Sequence, residues 1–114
     1  MKICISESTF NSFKDIFERS LGGHEILLIN REGKLSKGSG TPEVIFVSYE
    51  IMFKMLKDNL YKDNFIKLVD GCKFIQGSWA GIESDAAQEL MKRCDLFSHG
   101  GGIHAITIAT YVFA

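Results

Sequence analysis

Five short apolar runs, separated by stretches of a different period, limit what this chain can fold into. They cover residues 2–5, 24–30, 44–47, 72–76 and 96–97. Short, apolar and bounded by Gly, Ser or Asn, they predict strands. The run with Cys72, Phe74 and Ile75 between Gly71 and Gly77 has the character of a strand buried on both faces of a parallel sheet. The stretches between them have helical spacing. Ser6 or Ser8 can cap a helix in which Phe10, Phe13, Ile16, Phe17 and Leu21 recur mostly at three- and four-residue steps, so this stripe is expected to face the core, with Gly22-Gly23 as its end. Residues 50–70 place Ile51, Met52, Met55 and Leu56 on one face and Phe65, Leu68 and Val69 on another, with a break expected at Asp58-Asn59 or Asp63-Asn64. Ser84 can cap a third helix with Ala87, Leu90 and Met91 inward and Lys92-Arg93 near its negative pole. Strands alternating with helices imply right-handed parallel crossovers and a three-layer α/β domain with a parallel five-stranded sheet.

Residues 31–42 are polar and rich in Gly, Ser and Lys, and are expected to form a loop. Within them Gly38-Ser39-Gly40 lacks the helix a phosphate loop requires, because Thr41-Pro42 and a strand follow.

Composition narrows the function. With 114 residues the chain can build one ordinary core, and 13 Lys plus Arg against 14 Asp plus Glu give a net charge of -1 with no basic cluster. Nucleic acid and anionic membrane are therefore not expected partners. The three cysteines, Cys4, Cys72 and Cys94, form no close pair in sequence and suggest buried free thiols in a reducing cytoplasm rather than a disulfide framework or zinc site. The first twenty residues hold no apolar signal core, and no run is long enough to span a membrane. His24, His99 and His104 lack further ligands at metal spacing.

Chemistry is expected just beyond the fourth strand. In open α/β sheets ligands lie outside the carboxyl ends of the strands, and a loop of small residues lets backbone N–H groups approach an anion. Ser78-Trp79-Ala80-Gly81 is such a loop. Its bland alternative is a tight strand-to-helix turn that binds nothing. Trp79 either closes over a ligand or packs on the loop, and Ser48 and Tyr49, ending the neighbouring strand, are either ligand contacts or ordinary turn residues.

Residues 73–83, then Gly102-Ile103-His104 and the run from Ile108 to Ala114, resemble the N-terminal part of the D-isomer-specific 2-hydroxyacid dehydrogenases in motif and separation. That resemblance implies a flavodoxin-like sheet of order 2-1-3-4-5 over residues 1–102, with 103–114 beginning an interdomain helix. It implies that a small 2-oxo or 2-hydroxy acid is held by the backbone amides of Ala80 and Gly81. NAD or NADP would serve a full-length enzyme, with no cofactor bound by this chain. Glu83 stands where the family usually has Asp, Ile106 where Pro is frequent and Thr110 where Glu is common. The family's GxGxxG loop and its catalytic Arg, Glu and later His have no counterparts here, and His104 does not match the catalytic histidine.

The expected role is thus a substrate-binding domain or fragment of a 2-hydroxyacid dehydrogenase-like oxidoreductase, without hydride transfer of its own. The alternative is a non-catalytic interaction or oligomerisation module, because the apolar segment 103–114 needs a partner surface and is expected to support a homo-oligomer or to mark a cut chain. A receiver-like signalling domain would need several acidic residues at the ends of the first and third strands. Glu7 alone is a poor match.

Overall fold

A computed structural model of the chain describes residues 1–77 and 85–98. The chain runs β1 (Lys2–Ser6), α1 (Glu7–Ser12), α2 (Lys14–Ser20), β2 (Glu25–Ile29), β3 (Leu35–Lys37), β4 (Val44–Val47), α3 (Tyr49–Lys57), α4 (Asn59–Val69), β5 (Cys72–Gly77), α5 (Asp85–Met91) and β6 (Cys94–Ser98). The strands form one mixed sheet in the order β3-β2-β1-β4-β5-β6. Five of them are parallel, and β3 is antiparallel to β2 at the edge. Counted alone, the parallel strands follow the expected order 2-1-3-4-5.

The strand count corrects the sequence expectation, which had five parallel strands and a loop over residues 31–42. The polar triplet Leu35–Lys37 carries too little apolar pattern to declare a strand, and its pairing is set by the turn before it. There Asn30 Oδ1 accepts the N–H groups of Glu32 and Lys34, at 2.9 and 3.1 Å, while Gly33 takes a φ of 82°. A Cβ on Gly33 would stand 2.8 Å from the Tyr61 carbonyl oxygen, so both backbone angle and space require glycine.

Register explains the core. Leu27, Cys4, Ile45, Ile75 and Phe97 make one continuous row across the five parallel strands. The first four are 0% exposed and join a single cluster with Ile51, Met55, Tyr61, Phe65, Val69, Ala87 and Leu90 of α3, α4 and α5. Ile5, which alternates with Cys4, is buried on the opposite face, where α1 lies against β1 and β2 and contributes Phe10.

Two helical expectations change. The first helix is broken at Phe13, whose φ of -129° is not helical, into α1 and α2. Phe10 is buried and stacks on Phe17 at 6.0 Å, but Phe13 and Ile16 are more than half exposed, so the apolar stripe is not a core face. Helix α2 packs against α1, and none of its residues is buried. Leu56 is likewise 61% exposed, because α3 meets the sheet through Ile51, Met52 and Met55 and ends one residue later at Lys57. The break between α3 and α4 falls at Asp58, the first of the two positions the sequence offered, where Oδ1 accepts from the N–H groups of Leu60 and Tyr61, while Asp63 and Asn64 lie within α4.

At the amino edge of the sheet Glu43 ties three strands together. Its carboxylate accepts from the Lys2 N–H at 3.3 Å and pairs with Lys73 Nζ at 3.5 Å. The Lys2 hydrogen bond chiefly, and the Lys73 charge next among the favourable effects, hold its pKa below the ordinary carboxylate value. A carboxyl with a depressed folded pKa contributes stability above the unfolded pKa, and the contribution disappears as pH falls through the folded value. Glu43→Gln is therefore expected to flatten the acid limb of a stability profile measured by urea melts across that window; an unchanged limb would show that the carboxylate does not contribute. Gly33→Ala is expected to cost about 1–3 kcal/mol from its left-handed φ and the Tyr61 contact, measured by the same melts.

Candidate functional site

The carboxyl edge of the sheet contains a topological switch point. From β1 the chain crosses to β2, whereas from β4 it crosses the other way to β5, so the connections part between β1 and β4. Ser6 ends β1 and Ser48 follows β4, and each starts a helix. Ser6 Oγ accepts from the Thr9 N–H at 3.2 Å, and Ser48 Oγ accepts from the Ile51 N–H at 3.5 Å. The two helix starts meet across the strand ends, where Ser8 Oγ donates to the Glu50 carboxylate. Glu50 also faces Lys54 at 3.9 Å, and the Lys54 ammonium lies 5.5 Å from the centre of the Tyr61 ring. Burial, with the Glu50 charge adding to it, pushes the Tyr61 hydroxyl well above its ordinary pKa, so it stays protonated.

Beside this bridge lies a depression of about 310 Å³, lined by Glu7, Ser8 and Asn11 of α1, by Ile29, Asn30 and Arg31 at the end of β2, and by Glu50 and Lys54 of α3. Glu50 and Lys54 satisfy one another. Arg31 and Glu7 have no ion-pair partner among the described residues, which leaves one planar five-donor cation and one carboxylate lining the depression. Such a set can take a carboxylate on the guanidinium, and its floor is the buried Ile29.

The sequence-derived site residues fall differently. Ser48 is half-buried and its hydroxyl is occupied in capping α3, while Tyr49, 50% exposed, stands at the first helical position of the same edge. Ser78, Trp79, Ala80 and Gly81 lie outside the described residues. Val47 and Gly77 are register partners, so the sequences beginning at Ser48 and Ser78 leave from neighbouring strand ends. Asn30, Arg31, Glu50 and Lys54 were not singled out from sequence. Their signal is position alone, within a few residues of a strand's carboxyl end.

The cysteines are free thiols as expected, with Cys4 and Cys72 buried and Cys94 half-buried. Cys72 and Cys94, 22 positions apart in sequence, are register partners on β5 and β6. Burial raises the thiols of Cys4 and Cys72 to about 12 and pushes Cys94 upward as well. All three are free. Among the described residues no group of three or more His, Cys, Asp or Glu is arranged to hold a metal, and no helix is long and apolar enough to cross a membrane.

Comparison with protein-family models, with curated proteins and with solved structures finds no match to this chain. The geometry therefore stands on its own.

At pH 8, Cys4 and Cys72 are expected to react with an aromatic disulfide reagent roughly a hundredfold or more slowly in the folded protein than in denaturant, as their thiolates are suppressed. Equal rates in the two states would contradict the burial that raises them.

Proposed function

We propose that this chain is a binding domain for a small organic acid, flavodoxin-like in architecture, with the ligand at the carboxyl edge of its parallel sheet. The observation that carries the reading is the unpaired Arg31 in a depression beside the β1/β4 switch point. A guanidinium placed there is a ready partner for a carboxylate, and ligands of open α/β sheets gather at such positions. The resemblance to the 2-hydroxyacid dehydrogenases supports a finer form: a 2-oxo or 2-hydroxy acid, the amides of Ala80 and Gly81 as a second carboxylate contact, and Ser48 and Tyr49 near the ligand. Of those two, Tyr49 is the better candidate, since the Ser48 hydroxyl is already engaged. On that form the chain is the acid-binding part of an oxidoreductase, and NAD or NADP would be held by a nucleotide-binding unit that these 114 residues do not supply.

A second reading, an interaction module without chemistry, is favoured by the apolar sheet face opposite α3, α4 and α5. Localisation in the cytoplasm agrees with either reading through the free thiols.

The test is an amide NMR titration of the full chain with pyruvate-like acids. Millimolar binding is expected, with shifts at Asn30 and Arg31, at Ala80 and Gly81, or at both. Arg31→Ala is expected to weaken binding about tenfold or more, as loss of a charge-assisted hydrogen bond implies. Shifts confined to Ala80 and Gly81, with Arg31→Ala silent, would move the site to the loop after β5; no shifts anywhere along the carboxyl edge would overturn the acid-binding reading and favour the interaction module.

A further inference from the structure

Helix α3 is apolar on two sides. Ile51, Met52 and Met55 are buried in the core, as expected of one side of a helix packed on a sheet. Tyr49, Phe53 and Leu56 follow one another at four- and three-residue steps, which makes a second line along the helix, and each of them is at least half exposed. Leu60, 68% exposed, follows just past the turn at Asp58. Four of the eight exposed large apolar side chains among the described residues thus fall within residues 49–60. Isolated exposed apolar residues are ordinary, whereas a concentration of them along one helix marks a surface that another molecule covers.

Charge is arranged along the same line. Glu50 lies in the first turn of α3 and Lys57 is its last residue, and their seven-residue separation sets both on the same flank of the line. Lys57 has no ion-pair partner among the described residues, and its ammonium lies 5.8 Å from the centre of the Phe53 ring. Glu50 already meets Ser8 and Lys54, but a carboxylate has acceptor capacity for a further partner.

We propose that this line is a self-association surface, on which α3 of a second copy of the chain packs antiparallel about a twofold axis beside Phe53. The charges select that occupant. Phe53 stands near the midpoint between Glu50 and Lys57, so about such an axis the Glu50 of each copy meets the Lys57 of the other, and symmetry makes two opposite-charge pairs. A parallel pairing would set Glu50 against Glu50 and Lys57 against Lys57, and like charges repel. Area sets the strength. A half-exposed aromatic side chain offers about 100 Å², so the four apolar side chains offer about 400 Å², roughly half of the ~800 Å² that each partner contributes to a standard interface. With Glu50, Lys54 and Lys57 as a polar rim, the dimer is expected to be weak, with a dissociation constant of about 10 μM or above. The inference does not depend on the acid-binding reading: association is read from mass, and acid binding from the amides of Asn30 and Arg31.

The experiment is sedimentation equilibrium of the full chain at low ionic strength, from micromolar to near-millimolar concentration. A reversible dimer is expected. Phe53→Asp, which alters an exposed side chain, is expected to raise its dissociation constant about thirtyfold or more. Lys57→Glu is expected to raise it about fivefold or more by turning both pairs into repulsions, and Glu50→Lys to do the same. Mixing the Lys57→Glu and Glu50→Lys variants is expected to restore association, because opposite charges then face each other at both contacts. Thermal melts establish that each variant is folded, and Leu56→Asp repeats the apolar arm. A dimer indifferent to both Phe53→Asp and Leu56→Asp would overturn the proposal in favour of another surface. A chain monomeric throughout would overturn it and leave the line to a different partner. Mixed charge variants that associate no better than either alone would overturn the antiparallel pairing.

Discussion

Everything described in this fold depends on the row formed by Leu27, Cys4, Ile45, Ile75 and Phe97. Backbone pairing places these side chains shoulder to shoulder, and α3, α4 and α5 bury them under Tyr61, Phe65 and Leu90. Strand β1 holds the centre of the row, bonded to β2 on one side and β4 on the other. A one-residue slip of β1 would exchange Cys4 for Ile3 or Ile5 and turn a hydrophobic set to the wrong face. The register is protected at the amino edge by Glu43, which is bonded to Lys2 and Lys73 on the flanking strands.

The same central strand creates the polar edge. Because β1 and β4 send their connections in opposite directions, α1 and α3 begin on opposite faces and meet at the strand ends through Ser8 and Glu50. Charged groups concentrate there rather than in the core. Glu50 is satisfied by Ser8 and Lys54, whereas Arg31 and Glu7 keep their capacity for a ligand. Ser48, by contrast, spends its hydroxyl on the helix, which shows why a polar residue at a strand end is not by itself a contact.

The acid-binding proposal uses the line of strand ends, where backbone and side-chain dipoles converge. Among the described residues the two faces of the sheet differ, with α3, α4 and α5 packed against one and α1 against the other.

The sequence by itself determined the α/β class, four of the five main strands to within a residue or two, and Ile51, Met52, Met55, Phe65, Val69, Ala87 and Leu90 as inward side chains of α3, α4 and α5, and it narrowed the break within residues 50–70 to two positions. These are local matters of period, capping and glycine placement, and short-range physics decides them. Leu96 and Phe97 announced only the middle of β6, since edge strands need less apolar sequence. Tertiary structure decided the rest. Strand β3 exists because β2 offers it a partner across the Asn30 turn, the stripe from Phe13 to Ile16 is exposed because the helix breaks, and Cys72 meets Cys94 through strand pairing. The cluster around Arg31 likewise gathers residues from three separate elements, α1, the end of β2 and α3. No motif encodes that juxtaposition, because it arises from the order in which the strands pair.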